Sequence, residues 1–190
     1  MSESPLWMRT GLSHHLVQEL RSDHAGETGA VYIYKGIQAV AQWRGDLELL
    51  AFAKAHGVTE ADHLAEMENW LPASQRSCLL GPWRLAGWLT GALPALIGRP
   101  AVYATIAAVE TFVDHHYQQQ IDHIHVHGGP EGLLPLLIRC MPMSSITGMN
   151  LRPWQAAIPA CCCGSGAGRS AGARLRLWFW PDASDLKRTA

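Results

Sequence analysis

The sequence predicts an all-α fold, an antiparallel four-helix bundle with an apolar crossover helix. Apolar residues recur at spacings of three and four along the first 140 residues. Pro72 and the Gly128, Gly129, Pro130 run interrupt those stretches. The most apolar segment, residues 79–98, lies between the second and third long ones. With 190 residues, 48% apolar and 16% charged, the chain suffices for one domain, or a domain with a tail, built on a sizeable core. A disordered or fibrous chain is excluded.

The first helix is expected from Leu12 to about Trp43, with Leu16, Leu20, Val31, Tyr34, Ile37 and Val40 on its apolar side. Gly26 and Gly29 interrupt it. Glycine costs about 1 kcal/mol against alanine inside a helix, so the pair implies close approach of a neighbouring backbone. A second helix runs from Asp46 to Trp70, with Leu49, Leu50, Leu64 and Met67 inward and Pro72 ending it. Residues 79–98 would approach membrane-spanning length but for Pro82, Arg84 and Pro94, so a transmembrane span is not expected. Trp83 and Trp88 beside Arg84 fit a helix lying among lipid headgroups or capping an apolar channel; a buried connecting helix fits equally well. A third long helix follows from Ala101 to about His125, and Glu131–Cys140 opens a fourth.

Composition changes at Cys140. All ten histidines and fourteen of the sixteen acidic residues precede it, whereas residues 141–190 carry two acids and six bases and hold CCCGSGAGRSAGARLRLWFW, which has no regular periodicity. Residues 1–140 therefore read as the bundle and 141–190 as an atypical, irregular tail in place of the last helix. A net charge of −1 with no basic stripe excludes nucleic acid as a natural partner. The five cysteines lack zinc or secreted-disulfide spacing, which points to a reducing compartment, with Cys78 and Cys140 expected as buried thiols. The opening residues, MSESPLWMRTGLSHH, show no signal-peptide pattern.

The residues able to do chemistry are acids and imidazoles in the first three long helices. Glu60 and His63 stand three apart, so they share a helix face and can bind one metal ion together. Glu27 and Glu110 fall among apolar or small residues, where an unpaired carboxylate costs several kcal/mol and calls for a cation. Ferritin-like di-iron bundles use a lone Glu on each of two helices and an ExxH pair on each of the other two. Here the order is Glu27, then Glu60 with His63, then Glu110, and the fourth helix should supply a second ExxH. From Pro130 onward the only acids are Glu131, Asp182 and Asp185, and no histidine appears.

Reverse translation of MPMSSITGMN accounts for the gap. Read one base earlier, the codons permit ADELHHRDE, which contains ExxH. Its glutamate falls at the 143/144 junction, 33 positions after Glu110, as Glu60 stands 33 after Glu27. The same shift turns the two junctions among Cys161, Cys162 and Cys163 into leucine codons. A single-base deletion near codon 140 explains both.

DHAGETGAVYIYKG, EADHL, AAVETFVDHHYQQQI and GGPEGLLPLLIRC together resemble the di-iron demethoxyubiquinone hydroxylases of ubiquinone biosynthesis, over roughly residues 15–140. By that resemblance Glu27, Glu60, His63 and Glu110 correspond to iron ligands, and His116 and Tyr117 to the pair beside the site. No catalytic residue beyond these is assigned. Where the family has its last Glu and His, this chain has MPMSSIT. The resemblance implies two Fe ions and O2-dependent hydroxylation of a polyprenylated benzoquinol. It further implies peripheral contact at the cytoplasmic face of the inner (cell) membrane, with segment 79–98 as dock, and leaves room for a lipid-presenting protein partner.

Two other readings compete. A ferritin-like protein binding quinone or lipid without redox chemistry would need only part of the ligand set. The alternating His123, His125 and His127 could hold a separate metal, although alternation scatters side chains around a helix and favours a solvated helix end.

Overall fold

The computed structural model describes residues 12–141. Within them are five α-helices: α1 (His14–Arg44), α2 (Leu47–Trp70), α3 (Leu80–Ile97), α4 (Arg99–His127) and α5 (Leu133–Cys140). A short 3₁₀ turn, Ala73–Gln75, bridges α2 and α3, and no strand occurs among the described residues. The all-α bundle with an apolar crossover helix is the architecture the sequence predicts. From Pro142 onward the expected irregular tail, with Cys161, Cys162 and Cys163, lies outside the described residues.

Local chemistry sets the helix ends. The Ser13 side chain accepts a hydrogen bond from the Leu16 amide at 3.3 Å and starts α1. Gly45, at φ 69°, takes the left-handed conformation that ends α1, and Asp46 immediately caps α2 by accepting from the Leu49 amide at 3.0 Å. Arg99 donates to Asp46 at 2.6 Å and pairs with Glu48, tying the start of α4 to that of α2. Helix α4 starts before the Ala101 expected from periodicity because Pro100 fits the first helical turn, where its missing N–H has no partner to lose.

One apolar cluster joins four helices. It takes Leu16 and Leu20 from α1, Met67 and Trp70 from α2, Tyr117, Ile121 and Ile124 from α4, and Leu133, Leu136 and Leu137 from α5. Burying each such aliphatic side chain contributes about 1.5–3 kcal/mol, enough to hold α5 in place despite its eight residues. Leu50 and Leu64, expected inward with Leu49 and Met67, are only half-buried.

The crossover helix packs on α1 through a seam of glycines. A Cβ added at Gly87 would stand 2.5 Å from the Gly29 carbonyl oxygen, and one at Gly91 would overlap the backbone of Ile33. Gly36 returns the arrangement, pressed against the backbone at Trp88. The close approach expected of Gly29 is thus made by α3. On its other side α3 presents apolar groups to solvent, Leu85 at 61%, Leu93 at 56% and Ile97 at 80% exposure. No helix among the described residues is long and apolar enough to cross a membrane.

The seam makes a stability prediction. Gly91→Ala forces backbone against backbone and should destabilise the fold by about 1–3 kcal/mol, read as a lower urea midpoint. Gly81→Ala, with open space around it, should be neutral or slightly stabilising. Equal midpoints for the two variants would contradict the close contact.

Candidate metal centre

Glu27 lies near the middle of α1, only 4% exposed. Its Oε1 accepts a 2.6 Å hydrogen bond from the Tyr117 hydroxyl of α4. Its Oε2 stands 3.9 Å from His63 Nδ1, and Glu60 Oε2 stands 3.6 Å from the same nitrogen. Glu60 and His63 sit one helical turn apart on α2, so their side chains reach the interior together. Cys140, at the end of α5, completes a group in which one ligand atom each from Glu27, His63 and the cysteine all lie within 4.8 Å of one another. Three helices thus deliver donors to one point.

Electrostatics marks the same place. Burial pushes the Glu27 carboxyl well above the ordinary carboxylate range, and the charge of Glu60 adds to it, while the Tyr117 hydrogen bond works the other way. Glu110, half-buried on α4, is pushed up to about 7 by burial, then by Glu60 and Asp114. Tyr34 is raised by burial and by the charges of Glu60 and Glu110. Glu60 therefore couples electrostatically to both lone glutamates. Acids gathered this way raise each other's proton affinity unless a cation intervenes.

A second polar layer lies a turn toward the start of α1. Asp23 is fully buried, and its Oδ1 accepts from Gln120 Nε2 at 2.7 Å and meets His116 Nε2 at 3.0 Å. Burial alone would lower the His116 pKa, but Asp23 outweighs it and holds the imidazole above its usual value. His24, beside Asp23, meets Glu68 at 3.4 Å, and Glu68 is held by Arg76 at 2.9 Å. Asp23 Oδ2 and His24 Nδ1 are the two buried side-chain atoms among the described residues without a hydrogen-bond partner.

Of the residues singled out in the sequence, Glu27, Glu60 and His63 converge. Glu110 is linked to them by the charge of Glu60 and not by a side-chain contact with the group of Glu27, His63 and Cys140. Tyr117 touches Glu27 directly, whereas His116 touches Asp23. Sequence reasoning passed over Asp23 and Gln120 and read Cys140 as a buried thiol. The usable signal for Asp23 was its place four residues before Glu27, one turn along the same helix face. Cys78, expected to be buried, is exposed; Cys140 is buried as expected.

The histidine tract forms the solvated end of α4, as expected. His123 and His127 are four apart on α4, so their rings stack at 4.2 Å, and His15 of α1 meets His123 edge-on at 4.5 Å. His125 and His127 are exposed and His123 is half-buried.

The donor set fits a divalent metal ion: buried carboxylates and one imidazole converge, and their mutual repulsion is relieved by positive charge. It offers less to a second ion, because α5 contributes Cys140 but no carboxylate or imidazole.

The chain is similar to known hydroxylases of the ubiquinone pathway. The 3-demethoxyubiquinol 3-hydroxylase of Rhodospirillum rubrum is 41% identical over 109 residues, covering 55% of this chain and 50% of that protein. The mitochondrial NADPH-dependent 3-demethoxyubiquinone 3-hydroxylase of Dictyostelium discoideum is 33% identical over 111 residues, 57% of this chain and 50% of its own. The corresponding Bos taurus protein is 36% identical over 104 residues, 54% of this chain and 46% of its own. The chain thus spans about half the length of the curated relatives it matches. Since the family profile described as ubiquinone biosynthesis protein COQ7 matches residues 14–139, nearly the whole of the bundle, the chain belongs to that family.

Proposed function

We propose that this chain carries the metal-binding half of a 3-demethoxyubiquinol 3-hydroxylase-like monooxygenase, with Glu27, Glu60, His63 and Glu110 as the residues that would hold iron. The convergence of Glu27, Glu60 and His63 around one buried point carries the proposal. Carboxylate-rich ligation with imidazole suits iron, which when bound would supply the electrons for dioxygen chemistry. Glu60, whose charge acts on both lone glutamates, would hold iron together with Glu27, His63 and Glu110.

The remaining residues orient and insulate. Tyr117 fixes one Glu27 oxygen by hydrogen bonding and leaves the other toward His63. Asp23, His116 and Gln120 lock α1 to α4 one turn away, which sets the register between Glu27 and Glu110. The exposed apolar side of α3, Leu85, Leu89, Leu93 and Ile97 with Trp88, suits contact with a bilayer and entry of a polyprenylated benzoquinol. We place that contact at the cytoplasmic face of the inner membrane, where a lipid-presenting protein partner could also approach.

Half a ligand set limits the chemistry. With no second ExxH in the sequence after Glu110, residues 1–140 should bind one ion and support little or no hydroxylation. A chain with the reading frame restored after codon 140 should bind two and regain product formation, measured by metal analysis and by mass spectrometry of the quinone. Equal activity of the two chains would refute this account, while lipid or quinone binding by both without turnover would favour the non-catalytic reading. His63→Ala should weaken metal binding at least tenfold while leaving helicity intact by circular dichroism.

The raised carboxyls predict a pH dependence. A carboxyl whose pKa rises on folding binds its proton more tightly in the folded state, so its stabilising effect is present at low pH. For Glu110 it fades as pH climbs from the ordinary 4.5 to about 7. The metal-free chain should therefore lose stability across that window, and Glu110→Gln should flatten the loss in urea titrations at several pH values. Metal affinity should run the opposite way, rising with pH as the cation displaces these protons.

A further inference from the structure

Cys140, at the end of α5, brings a thiol to the centre, and nothing in the hydroxylase chemistry requires a thiol there. Its sulfur, with one donor atom each of Glu27 and His63, falls in a group no wider than 4.8 Å. Donors around a tetrahedral zinc ion, bonded at about 2.0–2.3 Å, stand about 3.3–3.8 Å from one another. Small side-chain movements close that difference. The residue is 2% exposed, so no bulk solvent competes for the sulfur.

The backbone supports the placement. Leu133, Leu136 and Leu137 anchor α5 in the core, and Arg139 pairs with Glu66 of α2 at 2.6 Å. The last turn of α5 is thereby held against the helix that carries Glu60 and His63.

We propose that Cys140 is a metal ligand, completing with Glu27 and His63 a mixed sulfur, nitrogen and oxygen site that takes a single tetrahedral Zn2+ or Co2+ rather than a ferrous pair. The proposal rests on Glu27 and His63 being metal ligands and adds the donor that sets which metal is chosen. A thiolate is a soft donor and favours zinc over hard, oxygen-seeking cations. Ligation forms one metal–sulfur bond and releases the thiol proton to solvent; no electron is transferred.

The test uses the full chain with Cys78, Cys161, Cys162 and Cys163 replaced by serine, so that Cys140 is the only thiol. Titrating the metal-free protein with CoCl2 should produce a near-ultraviolet thiolate-to-cobalt charge-transfer band that saturates at one ion per chain. X-ray absorption of the zinc form should show a single sulfur neighbour at about 2.3 Å. Cys140→Ser in that background should abolish the band and weaken cobalt binding at least tenfold at unchanged helicity. Should that variant fail to fold, the sulfur neighbour in the parent decides. Cobalt bound with visible ligand-field bands but neither charge-transfer band nor sulfur neighbour overturns the role of Cys140 and leaves the Glu and His assignment standing. No cobalt bound overturns both.

Discussion

The carboxylate of Glu27, enclosed by the bundle, is the constraint around which the rest is arranged. An isolated charge there is costly, and each surrounding device reduces the cost. Tyr117 donates to one oxygen, His63 approaches the other, and burial shifts the group toward its protonated form when no cation is present. The core cluster explains why these devices stay in place: Tyr117 belongs both to that cluster and to the hydrogen bond, so packing energy fixes a polar contact. The same holds for Cys140, which shares the cluster with the leucines before it. Site and core are built from the same side chains.

The polar layer at Asp23 follows a related logic with a different outcome. There the acid finds an imidazole and an amide within the protein, and His116 gains proton affinity in return. Local pairing thus satisfies Asp23 in part, whereas the group at Glu27, Glu60 and Glu110 has more negative charge than the nearby imidazole can balance. The contrast between two buried acids four residues apart on one helix separates an acid paired within the protein from one left with uncompensated charge around it.

Much of this was legible from the residues. Apolar spacing located the long helices and the strongly apolar run 79–98 located the crossover, with the Pro and Gly breaks marking where they end. Glu27 and Glu110 stood out since a carboxylate in an apolar run contradicts its surroundings, and the Glu60 and His63 spacing placed two donors on one face. What stayed hidden depends on contacts between distant segments. Cys140 has no local partner to mark it, and its meaning comes from α1 and α2 approaching the end of α5. Asp23 went unnoticed because its partners lie 93 and 97 residues away. Alternation read the histidines of α4 as a solvated helix end, where His125 and His127 are indeed exposed; the contact of His123 with His15 of α1 depends on the fold. The exposure of Cys78 follows from the loop that carries it, where no periodic pattern operates.

The glycine seam between α1 and α3 has a mechanical meaning. Backbones in direct contact leave no flexible side chains between them to absorb displacement, so the two helices behave as a single stiff strut. Gly29, within the seam, lies two residues from Glu27. Any load borne by the greasy outer surface of α3 is therefore felt at the buried acid without slack, and anchoring that surface would hold the interior donors still.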